Sequence, residues 1–337
     1  MPGDYGSVSN RVGIHASANL LADAKQLLIL NRWAQQEDVP QNKGKIITWR
    51  RYLNLDTVTD PIVGSNTPDP NTMTWVDVSA ELHEFGKYIP ISRAVMDTVE
   101  DPILQVAQEK SSYQMAKSLD TLIFKTIVGG TQKVLTNGLT RSSINTVMAR
   151  KHIRAAVRTL LANDAMPLTS LVRSTPTYAT HGLEPAFFGY GHTNIEPMFR
   201  AMSGFLPTSE YSSNVEPIPG EIGTVERVRI VLSNIAAPWT DASNLGATGG
   251  TNVIEDVTTS KAIVYPFIIV AADAYGVTKL AGKGAAKILV YNPTVCCGDP
   301  LAQRGSVGWI TWFASAILNN NFMIRIETAV PSDAGLA

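Results

Sequence analysis

Sulfur chemistry is nearly absent from this sequence. Its 337 residues include two cysteines, and they are adjacent, Cys296 and Cys297. Neighbouring cysteines do not form a relaxed disulfide, and a metal site needs ligands spaced as C-x-x-C. The pair reads as two small buried apolar side chains in a reducing compartment. Charge is also scarce, 17% of residues against about 25% in an average globular protein. A low charge fraction on a long chain points to surface buried against partners. The formal net charge is −1, without the basic excess of a dedicated nucleic-acid binder. No apolar run approaches the roughly 18 residues of a membrane span. The longest, 262–272, is interrupted by Pro266. The opening MPGDYGSVSNRVG has no apolar signal core. The expectation is a soluble chain with no visible secretion signal and no membrane partner.

Catalytic constellations are missing as well. The histidines are His15, His83, His152, His181 and His192, and none stands in H-E-x-x-H or another compact metal spacing. His181 and His192, with Glu184 and Glu196, fall in a Pro/Gly-rich segment that is weak ground for a metal site. G-x-S-x-G is absent. AGKGAAK at 281–287 looks like a phosphate loop, but Gly276 is one residue too far from Gly282-Lys283. Gly284 also stands where the magnesium-holding Ser or Thr would be. The run GDPLAQRGSVGWITW at 298–312 places the forked guanidinium of Arg304 beside Gly305. No second phosphate-binding element accompanies it. An enzyme using Arg304 and the 282–284 turn on a phosphorylated ligand is the rival these features leave. The expectation is no enzyme, no cofactor and no metal.

With 45% apolar residues the chain can bury a core, as one large domain or two ordinary ones. Residues 1–15 are polar and Gly-rich, and 19–36 has a helical stripe of Leu20, Leu21, Ala24, Leu27, Leu28 and Trp33. That helix docks on another molecule or on its own core; both readings stand. KIITWRRYL at 45–53 and MTWVDVSAELHEFGKYIPIS at 73–92 are β-rich, and the segment between them is rich in Pro, Asp, Asn and Thr. This predicts a two-stranded arm with a flexible tip. An isolated hairpin is marginal in water, so it should lie on another surface, of this chain or a neighbour.

The clearest element is a helix between Asp101-Pro102 and Gly129-Gly130, with Leu104, Ala107, Ser111, Met115, Leu119, Leu122 and Ile123 at helical spacing. It would be roughly 40 Å long and could act as a strut. A second helix, 145–163, buries Ala149, Ile153, Ala156, Val157, Leu160 and Leu161. Arg150, Arg154 and Arg158 recur on it every four residues. They read as a polyanion-facing ridge or, with more weight, as a solvated face or subunit contact. From 167 to 293 the chain reads as a mixed α/β lobe with strands in VERVRIVLS, KAIVYPFIIVAAD and AAKILVY, and a surface loop TDASNLGATGGTNVIEDVTTS. A strand at 307–318, a turn at Asn319-Asn320-Asn321 and a strand at 322–327 close it as a hairpin. In the last strand Phe322, Ile324 and Ile326 alternate with Met323, Arg325 and Glu327.

Several long pieces occur in a familiar order: NKGKIITWRRY, GKYIPISRAVMDTVEDP, KSLDTLIFKTIVGG, AAVRTLLANDAMPLTS, GEIGTVERVRIVLS, DAYGVTKL and DPLAQRGSVGWITWFASAILNNNFMIRIE. Together, over 42–327, they resemble the major capsid proteins of tailed phages of the coliphage N-four type. The match is loosest at 171–219. The resemblance implies the α+β fold of Hong Kong 97-type capsids. Its parts would be an N-terminal arm (1–40), an extended β-hairpin loop (41–96) and a peripheral domain with the long spine helix (97–166). A mixed α/β axial domain (167–297), then return strands and a C-terminal tail (298–337), would complete it.

The implied function is a shell of pentamers and hexamers that encloses the double-stranded DNA genome, assembled in the host cytoplasm. An encapsulin-like nanocompartment is the alternative. The implied partners are further copies of the chain, a portal and a separate scaffolding protein, since no long charged extension precedes the arm. A decoration protein is compatible with this, and DNA would touch the wall only non-specifically. Covalent cross-linking from the tip is not expected, because 56–72 contains no lysine. The interface candidates are Arg50, Arg51, Asp56, Asp60, Arg304, Gly305, Gly308 and Trp309, with Arg150, Arg154 and Arg158 as an inner-face basic ridge. Gly305 and Gly308 would let the backbone turn close to a neighbour. Arg304 would form an ion pair or bind a carbonyl at an interface. Trp309 and Trp312 would face opposite sides of a strand, one toward the spine helix.

Overall fold

The computed structural model describes residues 29–40, 42–59, 70–98, 103–168, 186–211, 217–241, 245–248, 253–280, 286–295 and 299–332. In chain order the elements begin with β1 (Gln35–Val39), β2 (Ile46–Tyr52), β3 (Trp75–Glu81), β4 (His83–Ser92), α1 (Arg93–Thr98) and α2 (Ile103–Val128). Then come β5 (Lys133–Leu135), α3 (Arg150–Ala162), β6 (Phe187–Gly191), α4 (Glu196–Arg200), β7 (Leu206–Pro207), β8 (Glu221–Val225) and β9 (Val228–Leu232). The last are β10 (Val264–Val270), β11 (Tyr275–Leu280), β12 (Ala286–Tyr291), β13 (Arg304–Ile317) and β14 (Met323–Ala329).

Strand β13 organises the first sheet. Along one side it pairs antiparallel with β4, from Arg304↔Ser92 to Phe313↔His83. Along the other it pairs first with β12, from Ser306↔Tyr291 to Thr311↔Ala286, and then with β11, from Phe313↔Lys279 to Ile317↔Tyr275. Strands β11 and β12 therefore line successive parts of the same edge of β13. Strand β1 adds parallel to β11. The second sheet has the order β5-β14-β10-β6-β9-β8-β7, and β2 with β3 forms a separate two-stranded hairpin.

Helix α2 lies across the first sheet and spans about 39 Å at 1.5 Å per residue. Every residue of its expected stripe is buried or half-buried, and Ala116, Phe124 and Ile127 widen the face. Met115 and Ala116 pack on Trp309, Ala107 packs on Val307, and Ile123 and Ile127 belong to the cluster holding Phe313. The expected N-cap, Asp101-Pro102, lies outside the described residues. The second sheet is filled by strands buried on both faces. All seven residues of β10 are buried, which is why VYPFIIV is an apolar run without alternation.

Several expectations change at tertiary contacts. Residues 30–32 form one 3-10 turn and 35–39 form β1, so the end of the expected 19–36 helix is extended chain. The reason is the open edge of β11, which supplies a hydrogen-bonding ladder; the start of that helix lies outside the described residues. The β-rich 73–92 stretch divides at Leu82, which is 2% exposed and whose amide donates to the Lys45 carbonyl at 2.7 Å. Only β3 belongs to the arm, because β4 pairs with β13. The 145–163 helix is shorter, with Ala149 as exposed N-cap and Leu161 exposed at 45%.

VERVRIVLS is cut by a tight turn. Glu226 and Arg227 both take left-handed angles, φ 48° and 65°, and join β8 to β9. Strands β13 and β14 do not form a hairpin, since β14 pairs with β10 and β5 in the second sheet. All of β14 is buried, so its alternation separates two buried layers rather than core from solvent. The expected boundaries are crossed accordingly. Strands β11 and β12, placed in 167–297, join the first sheet, while β14, from 298–337, and β5, from 97–166, join the second. Hydrogen-bonding partners distant in sequence decide this, and composition shifts along the chain do not register them.

Candidate subunit interface

Among the described residues, the β2–β3 hairpin is anchored only at its base. Ile47 and Trp49 are buried there with Val39, Leu82 and Ala314. Farther out Tyr52, Leu53, Leu55, Val58, Met73, Trp75 and Val76 are all exposed, Val58 at 75%. Long exposed apolar hairpins pair or aggregate unless something covers them. Arg50 sits opposite Asp77 and donates to both carboxylate oxygens, at 2.8 and 2.9 Å. Its guanidinium lies 5.1 Å from the Trp75 ring centre. The hydrogen bond from Arg50, then its charge, holds the Asp77 carboxyl below its usual range. The pair is solvent-exposed and so shapes the hairpin more than it stabilises it. Arg51 and Asp56 are exposed, and Asp60 lies outside the described residues.

The QRGSVGWITW run is an internal joint. Asp299 accepts the amides of Gln303 and Arg304, each at 2.7 Å, and fixes the turn that enters β13. Arg304 is exposed at the first position of the strand. Gly305 and Gly308 lie within β13 and do not turn. A Cβ at Gly305 would stand 2.9 Å from the Tyr291 carbonyl oxygen, and one at Gly308 would stand 2.9 Å from Lys87 O and Tyr88 Cβ. The close approach they permit is between strands of the same chain. Trp309 points to α2, where its Nε1 donates to Gln114 Oε1 at 3.1 Å. Trp312 packs on the other face with the hairpin base, and Lys45 Nζ lies 5.3 Å from its ring centre.

The arginine ridge is partly neutralised. Arg150 and Arg154 both donate to Glu226 Oε1, at 2.5 and 2.7 Å, and hold that carboxyl below its usual range; Arg158 is exposed. A different basic surface stands beside α2. A groove of about 430 Å³ runs between α2 and β4, floored by Phe85, Leu119, Leu122 and Trp309 and rimmed by Lys87, Lys117 and Lys125. Lys117 and Lys125, eight residues apart on α2, were a legible signal for it.

The other candidates resolve simply. His192 is half-buried and its Nδ1 accepts the Asn194 amide at 3.1 Å, capping a turn. His181, Glu184, the 282–284 turn, Cys296 and Cys297 lie outside the described residues. Among the described residues no group of three or more His, Cys, Asp or Glu could hold a metal, and no helix is long and apolar enough to cross a membrane.

This arrangement is the fold of bacteriophage capsid chains: a mixed α+β body with few helices and many strands. No family model and no curated protein matches the sequence. Among solved structures, the capsid of Ralstonia phage GP4 matches with a TM-score of 0.61 at 10% identity, over 90% of this chain and 89% of that one. The head structure of Helicobacter pylori bacteriophage KHP40 matches with a TM-score of 0.60 at 12% identity, over 89% and 88%. The capsid of Cyanophage P-SCSP1u matches with a TM-score of 0.56 at 12% identity, over 90% and 88%. At these identities the likeness is one of fold.

Proposed function

We propose that this chain is the major capsid protein of a tailed double-stranded DNA phage, a structural subunit that closes into an icosahedral shell around the genome. The observation that carries this is a capsid-chain likeness over nine-tenths of the chain, joined to a hairpin whose apolar surface, among the described residues, is covered only at its base. Hong Kong 97-type geometry is the reading we adopt. In it, α2 is the spine helix, the first sheet belongs to the peripheral domain, the second sheet is the axial domain, and β2–β3 is the extended loop. Pentamers and hexamers, a portal, a separate scaffolding protein and assembly in the host cytoplasm follow from that reading. A net charge of −1 suits a wall that DNA touches only non-specifically. The solved structures it is similar to include phage capsids and the capsid of a GTA particle, which favours this reading over a cellular nanocompartment. Electron microscopy of the chain expressed with its phage's other head proteins should show closed icosahedral particles built mainly from it. Small oligomers alone under those conditions would refute the reading.

In such a shell the hairpin of one copy lies on the next, and weak contacts repeated many times sum to a stable container. The lysine-rimmed groove beside α2 is the seat we assign to it. Residues 53–72 hold Asp56, Asp60 and Asp69 and no Lys, Arg or His. Leu55 and Val58 stand exposed beside Asp56. We assign the hairpin of one copy to the groove of its neighbour, since Tyr52 lies six residues out from Ile46 at the base, about 20 Å along the strand. Lys117→Glu with Lys125→Glu should therefore lower particle yield by about tenfold or more, with subunit stability changed by no more than about 0.5 kcal/mol. Adding Asp56→Lys should recover part of the yield. Normal particles from the double variant would reject this seat and leave the shell reading standing.

A further inference from the structure

The buried face of α2 carries one acid. Asp120 is 0% exposed, and its Oδ2 accepts the Ile29 amide at 3.3 Å, with the Leu30 amide also bonded to the carboxyl. Its Oδ1 is buried and has no hydrogen-bond partner among the described residues. Those two amides open the turn at Leu30–Arg32, which leads from the N-terminal segment into β1. Trp33 closes the turn, 2% exposed and stacked on Phe188 at 4.9 Å between ring centres. The Tyr275 hydroxyl donates to the Leu30 carbonyl at 2.5 Å. The root of the N-terminal segment is thus seated on the long helix through a carboxyl that lies away from water and is only half satisfied.

We propose that Asp120 is a proton-operated latch: neutral, its carboxyl keeps the 29–33 turn seated on α2, and ionised, it loosens that turn and the β1 attachment behind it. Among the described residues, the groups around it offer no compensating charge. From β6 it faces Tyr190 and from β11 Tyr275, and burial pushes both hydroxyls up, so they stay neutral. Arg32 on the turn, Glu37 and Asp38 on β1, and Lys117 on α2 are exposed. Burial raises the Asp120 pKa to about 7 from 3.8, against the smaller opposing pull of the Ile29 and Leu30 amides.

The sign follows from that shift. With the turn lifted, the carboxyl meets water and ionises at its ordinary value, so the seated state holds the proton more tightly. Seating is strongest below about pH 4, weakens as pH climbs from about 4 to about 7, and is constant above. The mechanism does not depend on the shell reading.

Hydrogen exchange on the full-length chain tests it. After correction for intrinsic rates, amides of residues 30–39 should lose protection on the order of 100-fold between pH 5 and pH 8. Asp120→Asn keeps an acceptor for the two amides and removes the charge, so its protection should be flat over that range and exceed wild type at pH 8. Parallel profiles for the two proteins would overturn the latch. Infrared spectroscopy of the wild type is an independent reading that needs no variant. A buried protonated carboxyl band should vanish between pH 6 and pH 8, and its absence at pH 6 would equally overturn the proposal.

Discussion

Arg325→Met should destabilise the protein by about 3–5 kcal/mol, the cost of breaking a buried ion pair from one side. Arg325 joins the second sheet to the C-terminal end of α2. Its Nε donates to Glu327 Oε1 at 2.9 Å, and its Nη1 donates to the carbonyls of Val128 and Gly130, the latter at 3.0 Å. Those carbonyls lie at the C-terminal end of α2, where helical carbonyls lack partners and the helix dipole favours a cation. Glu327 is 0% exposed and also accepts Arg141, at 2.7 and 2.9 Å. Arg141 in turn lies 3.8 Å from the Trp239 ring centre. Removing Arg325 strands two carbonyls and leaves a buried carboxylate with one cation.

The pH dependence has a defined sign. Burial pushes the Glu327 carboxyl up, but Arg141 and Arg325 together outweigh it and hold the group below its usual range. Its contribution is complete above the ordinary carboxylate value and is lost as pH falls through the depressed one. Urea unfolding at pH 7 and at pH 4 should therefore show a smaller acid-induced loss in Arg325→Met than in wild type. A loss below about 1 kcal/mol at pH 7 would mean that Arg141 alone satisfies Glu327.

Trp309→Ala should cost about 3–5 kcal/mol, the range for deleting a large buried aromatic. Trp309 is 6% exposed, packs on Met115 and Ala116, and bonds Gln114. It fastens the middle of α2 to the centre of β13, and its loss opens a cavity into the lysine-rimmed groove. Trp312→Ala should cost less, because that side chain is half-buried against the hairpin base. Chemical denaturation of both variants decides the matter. Equal losses would show that α2 is held by its other contacts and not by Trp309.

Much of this was legible in residue order. The α2 stripe could be read because helix periodicity is a short-range property, and Ala107, Met115 and Ile123 recur wherever the partner lies. The β-rich runs at β2, β10, β12 and β13 were legible for the same reason. The hairpin's need for cover was legible too, since a two-stranded arm cannot bury its own faces. The mixed α+β capsid fold followed from the order of the long motifs taken together.

The rest was decided by the folded chain. Nothing near Met323 says that β14 pairs with β10 instead of with the strand just before it. Nothing near Gln35 says that a segment with helical periodicity ends as a strand on the open edge of β11. Gly308 read as a turn, yet it serves the approach of Lys87 and Tyr88, more than 200 positions earlier. Asp120 was one polar residue in an apolar stripe until the turn at Leu30 closed over it. Local pattern determines which elements form, because backbone geometry repeats over a few residues. Which edges meet, which charges are buried and which lysines stay free depend on contacts between distant segments, and those exist only once the chain has folded.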